Sequence, residues 1–153
     1  MGNPILSDDA VGIRLARDIG CRLAGIPGLS ILEECSVGGL NIIEVLEGFD
    51  RAIILDSIRT VGGVPGDWHR FTSAVLRETM NLSNIHDVNF ATALELGRRM
   101  GMKLPAEEEI HIFAVEALDL ITFSETMTEQ MEKAYPEFSE AIFREVEAVL
   151  KMS

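Results

Sequence analysis

Three side chains along the sequence have the chemistry to share a divalent ion: Asp9, Asp56 and His86. Two carboxylates and one imidazole form a mixed oxygen and nitrogen donor set. Such a set suits nickel, zinc or cadmium better than magnesium, which favours oxygen ligands in a strict octahedron. Each residue also has a plainer reading. Asp9 follows Asp8 at a helix entrance, where acids complement the helix dipole. Asp56 follows an apolar run and can cap the next loop. His86 stands in the loop Asn81–His86 ahead of a helix, where a local hydrogen bond is the commoner role for a lone histidine.

The elements that must position these groups are legible in outline. Gly2-Asn3-Pro4 reads as a tight turn, Ser7 as a helix cap, and Asp8 and Asp9 as first-turn acids. Val11, Leu15, Ile19 and Leu23 recur at a spacing of four, which predicts an amphipathic helix ending near Gly25-Ile26-Pro27-Gly28. Leu29 to Glu33 is a strand candidate. Leu40, Ile43 and Leu46 give a helix a buried face, and Gly48 ends it. Arg51 to Leu55 is continuously apolar after its first residue, as in a central parallel strand covered on both faces, with Asp56 at its carboxyl end. A glycine-rich loop, 57–66, leads to an edge strand at Asp67–Phe71 anchored by Trp68. Helices are predicted over Ser73–Met80 and Asp87–Met100, the second packed through Phe90, Ala93, Leu94 and Gly97. A last strand, Glu109–Ala114, precedes a helical tail over Ser124–Met152 with a break at Tyr135-Pro136.

Alternating helices and strands imply an α/β fold, a three-layer sandwich around a mostly parallel sheet. In such sheets functional groups gather beyond the carboxyl ends of the strands, and the usual crossover hand turns Asp9, Asp56 and His86 toward one crevice. His69 and His111 read as structural or solvent-facing strand residues.

The chain has 153 residues, 47% of them hydrophobic, enough for one domain with a sizeable core. Its net charge of −12 argues against nucleic acid as a partner and fits a soluble protein or one that docks on a basic partner surface. Glu107-Glu108-Glu109 and the acids after Glu116 read as a solvated face. No apolar run reaches the ~18 residues that span a bilayer, and no signal peptide is visible, so a cytoplasmic protein without a membrane partner is expected. Cys21 and Cys35 read as buried free thiols. No Gly-x-Ser-x-Gly, His-Glu-x-x-His or Cys-His arrangement supports a serine, thermolysin-like or cysteine protease.

Gly2-Asn3-Pro4-x-Leu6-x-Asp8-Asp9-x-x-Gly12 resembles the opening signature of the hydrogenase maturation endopeptidases. The resemblance continues at Ile53-Ile54-Leu55-Asp56-Ser57, at Gly62-Gly63-Val64-Pro65-Gly66, at Gly38-Gly39-Leu40 and at His86. Glu116 sits where the family has a Glu after its last strand, and Glu34 replaces a usual Asp. An apolar strand normally precedes the first signature; either the natural chain starts upstream of Met1 or that strand is absent, and residues 1–153 are expected to form a single peptidase domain.

The resemblance implies an endopeptidase that removes the C-terminal extension of a nickel-iron hydrogenase large-subunit precursor after nickel insertion. Asp9, Asp56 and His86 would match the family's metal ligands and form the catalytic site. Nickel would arrive with the substrate, and zinc or cadmium could fill the site in vitro. Two rivals remain: a protein of the same fold that checks or chaperones the nickel site without cutting, and an unrelated metal-dependent hydrolase.

Overall fold

The computed structural model describes residues 1–35, 41–78 and 85–152, with backbone alone for 76–78 and 85–89. A short 3-10 helix, Ser7–Ala10, opens the chain and runs into α1 (Val11–Leu23). Then come α2 (Asn41–Leu46), β1 (Ala52–Ile58), β2 (Trp68–Thr72), α3 (Ser73–Glu78), α4 (Ile85–Arg99), β3 (Ile110–Glu116) and α5 (Glu129–Leu150). The fold is α/β, around a small mixed sheet of three strands ordered β1-β3-β2.

β3 is the middle strand, and every residue from Ile110 to Glu116 is buried. Residues alternate between the two faces of a strand, so burial at every position means both faces are covered. The strand at Ala52–Ile58 exists as expected, but it lies at one end of the sheet order rather than in its centre. The apolar run of β1 is only partly covered, with Ile54, Leu55 and Ile58 buried, whereas β3 is covered throughout although His111 interrupts its apolar run, so the run alone could not say which strand is central. β2 lies at the other end, as expected of an edge strand, and its Trp68 ring tilts against Phe113 at 6.1 Å. Leu29–Glu33 is not a strand, and residues 30–34 are exposed.

The chain divides into two compact units. The first comprises Met1–Ser36, Leu55–His69 and Phe113–Ser153. Within it, α1 buries Val11, Leu15, Ile19 and Leu23, the four residues that set its periodicity. Arg14 and Arg22 lie over the rings of Tyr135 and Phe143 on α5, at 3.9 and 3.3 Å from the ring centres. The same two arginines pair with Glu132 and Glu140, and the Tyr135 hydroxyl donates to Asp18 at 2.6 Å. Burial and that bond to Asp18 push the Tyr135 hydroxyl far above its ordinary range.

α5 is continuous through Pro136, against the break expected at Tyr135-Pro136. Pro136 falls on the exposed side, where water can serve the carbonyl its missing N–H leaves, while Met131, Tyr135, Phe138, Ile142, Val146 and Val149 are buried. Packing along a helix of 22 residues outweighs one lost bond. Cys21 is exposed and Cys35 half-buried, both free, so the expectation of buried thiols does not hold for Cys21.

The second unit comprises Val37–Ile54 and Arg70–Ile112. Here α2 packs on α4, with Gly97 against Ile43 and Leu104. α3 packs on α4 and on the 3-10 helix Glu107–Glu109. Two acids of that 3-10 helix are not simply solvated: Glu107 pairs with Arg98 at 2.9 Å and Glu109 with Arg51. His111 is buried rather than solvent-facing, and neither ring nitrogen has a hydrogen-bond partner among the described residues. Burial, then the nearby Arg70, hold its imidazole below the usual value.

Candidate functional site

The two acids at the start of the chain do different work. Asp8 is fully buried, and its carboxylate accepts from the N–H groups of Leu118, Asp119 and Thr128 and from the Thr128 hydroxyl, at 2.7–3.1 Å. A buried carboxylate is stable only when so satisfied. Asp8 therefore ties the chain entry to the segment after β3, a structural role.

Asp9 is half-buried, and both of its oxygens are aimed. Oδ2 accepts from the Asn3 N–H at 2.8 Å, and Oδ1 accepts from the Ser57 hydroxyl at 2.7 Å. The turn before it needs glycine: Gly2 has a φ of 132°, and a Cβ there would overlap the Asp9 carbonyl. Ser7 does not cap a helix as expected. It takes a φ of 41°, its N–H donates to the Ser124 carbonyl at 2.9 Å, and its hydroxyl donates to the Thr126 carbonyl at 3.4 Å. A left-handed serine is uncommon and persists where surrounding bonds fix it. Here the constraint is the parallel bridge of Leu6 with Ser124 and the anchoring of Asp8 beside it.

Asp56 lies inside β1, two residues before its end, rather than just beyond it. Its Oδ1 accepts from the Ser57 N–H at 2.9 Å. Ser57 thus joins the two carboxylates, its N–H on Asp56 and its hydroxyl on Asp9. No spacing rule points to this serine. Its only signal in the sequence is a hydroxyl directly after a candidate ligand.

Glu116, at the end of β3, is buried and accepts from the Thr60 N–H at 3.1 Å and the Thr60 hydroxyl at 2.6 Å. It also meets His69 Nε2 at 3.1 Å, so His69 is half-exposed and held. Opposite Glu116 the β2 side of the ladder carries a bulge. Gly66, with a φ of 95°, donates to the Glu116 carbonyl at 2.9 Å, and the Glu116 N–H donates to the Asp67 carbonyl at 2.8 Å. This is the glycine-type bulge, which bends a strand and re-aims its side chains.

His86 belongs to the second unit, and its backbone is the second residue of α4 rather than a loop residue. Its side chain lies outside the described residues. Among the described residues no three His, Cys, Asp or Glu side chains group to hold a metal. Ser57 thus bonds to Asp9 through its hydroxyl and to Asp56 through its N–H, and the grouping of Asp9, Asp56 and His86 around one ion is left as an expectation from sequence.

No protein-family model matches the chain, and no curated protein matches it. Solved structures do. The hydrogenase maturating endopeptidase HybD from E. coli superposes with a TM-score of 0.76 at 21% identity, over 96% of this chain and 88% of that one. A hydrogenase 2 maturation peptidase from a Thaumarchaeota archaeon gives 0.64 at 22% identity, over 99% and 95%. The [NiFe] hydrogenase maturation protease HybD from Thermococcus kodakarensis gives 0.62 at 19% identity, over 94% and 93%. The chain has the fold of these proteins along nearly its whole length.

Proposed function

We propose that this chain is an endopeptidase that removes the C-terminal extension of a nickel-iron hydrogenase large-subunit precursor once nickel is in place. The observation that carries the reading is Ser57, bonded to Asp9 through its hydroxyl and to Asp56 through its N–H, within the fold of the maturation endopeptidases. The opening signature around Asp9 supports it, as does the order of Asp9, Asp56 and His86 along the chain.

In this reading the nickel belongs to the substrate, and Asp9, Asp56 and His86 recognise it. A carboxylate already oriented by Ser57 and Asn3 loses little freedom on meeting an ion, which favours binding in that geometry. A mixed donor set with open positions also takes zinc or cadmium in vitro and neglects magnesium. Held by these residues, the ion would supply Lewis acidity to the scissile carbonyl or to a water. In this reading the site works in the cytoplasm. No described helix is long and apolar enough to cross a membrane.

The test is processing of nickel-loaded precursor, read as a gel shift. Asp9→Ala, Asp56→Ala and His86→Ala should each lower the rate at least a hundredfold with unchanged circular dichroism. Lys133→Ala, at an exposed ion pair on α5, should cleave normally. Wild-type processing by His86→Ala would overturn recognition by three ligands. A chain that binds the loaded precursor without cutting it would be a checking protein instead.

A further inference from the structure

Three of the four most exposed large apolar side chains among the described residues lie on two loops of the first unit. Val61 is 104% exposed, Ile121 79% and Phe123 78%, ahead of Met100 at 68%. The first three all belong to the first unit and to two of its loops, 59–66 and 118–124. Val64 and Leu118, on the same loops, are exposed as well. The loops leave neighbouring strand ends, since the Ala117 N–H donates to the Ile58 carbonyl at 2.8 Å. Arg59 also lies close enough to Asp119 to help lower its carboxyl pKa, after the Thr122 and Ile121 hydrogen bonds.

Neither loop is slack. Glu116 holds the first through the Thr60 N–H and hydroxyl, and Gly63 passes so close that a Cβ would overlap the Glu116 carboxylate. Asp8 holds the second at Leu118 and Asp119, Asp119 caps Ile121 and Thr122, and Ser124 pairs with Ile5 and Ser7. Two buried carboxylates thus fix the loops while their apolar side chains face water. Exposed apolar groups on a fixed frame mark an interaction surface, because no ordering cost remains to be met on binding. The acids around them, exposed Asp67 and Glu125 and half-buried Asp119, outnumber the exposed Arg59 on the first loop, and with the chain's net charge of −12 they favour a partner of opposite sign.

We propose that loops 59–66 and 118–124 form a preformed docking surface for an apolar segment of the protein substrate flanked by Lys or Arg. The proposal rests on the endopeptidase reading and adds where the substrate's body is gripped, beside Asp9 rather than at it. The second loop adjoins Asp9 through the Ser7–Ser124 and Asp8–Asp119 bonds.

The experiment is steady-state cleavage of the nickel-loaded large-subunit precursor by the whole chain, comparing wild type, Val61→Ser/Ile121→Ser/Phe123→Ser and Met100→Ser. The triple variant should raise KM at least tenfold and keep kcat within twofold, with wild-type circular dichroism, since its three sites lie in water. Met100→Ser, exposed but on neither loop, should change neither constant. Unchanged KM in the triple variant, with wild type active, would overturn the docking surface and leave the peptidase reading standing. A fall in kcat alone would also overturn it, as would a wild-type dimer in sedimentation that the triple variant abolishes, because the surface would then serve a second copy. A wild-type chain that neither binds nor cleaves the precursor would bring down the peptidase reading and this inference with it.

Discussion

Adjacent acids with opposite duties are the clearest residue-scale feature. Asp8→Ala strands four donors that Asp8 now satisfies, and hydrogen bonds to a charged acceptor contribute about 1.5–3 kcal/mol each. Urea unfolding should show a loss of at least about 3 kcal/mol, or no folded protein. Asp9→Ala should cost only about 1 kcal/mol, because it frees one N–H and one hydroxyl near solvent. Equal losses would mean that the division of labour is wrong. His111 gives a second residue-scale expectation. Its folded pKa is lowered from 6.5, so as pH falls through 6.5 the unfolded chain takes up a proton that the folded chain refuses. Stability should decline below pH 6.5, and His111→Phe should remove that part of the slope in urea titrations between pH 7 and 5.

At the scale of elements, the loop 59–66 depends on one missing side chain. Gly63→Ala should displace the Thr60 anchor from Glu116 and lower the melting temperature by several degrees, about 2–4 °C for each kcal/mol in a chain of this size. A melting curve identical to wild type would show that the loop tolerates the shift. The same region shows what a sequence does and does not disclose. Periodicity located α1, because Val11, Leu15, Ile19 and Leu23 are its buried face. Apolar runs located β1 and β3 but not their order, since order is decided by which partners remain for each strand. Pro136 misled because a propensity acts locally, whereas the packing of Tyr135 and Phe138 that overrides it is long-range. Asp9 and Asp56 were legible as residue types in a motif. Ser57 was not, since its role arises only from a contact between residues 48 positions apart.

For the molecule as a whole, the net charge of −12 acts at distances beyond any single contact. If the partner surface is basic, as the docking loops imply, added salt should weaken the encounter. The KM for precursor should rise at least about threefold between 50 and 500 mM NaCl while kcat holds, because the screening length shrinks from roughly 14 Å to about 4 Å. A KM indifferent to salt would leave apolar contact alone to account for binding. The fold that carries this charge spans nearly all of the endopeptidase structures it resembles, although only about one residue in five is shared.

The first unit is assembled from three stretches of chain, Met1–Ser36, Leu55–His69 and Phe113–Ser153. During synthesis Asp8 emerges early, yet its last partner, Thr128, follows 120 residues later. Until then its carboxylate is hydrated and the 3-10 turn around it has little to hold it. The second unit, drawn from two nearer stretches, has its contacts available sooner. Asp8 is therefore among the last residues of the first unit to be satisfied, and the turn that carries Asp9 is not pinned from that side until Thr128 has been made.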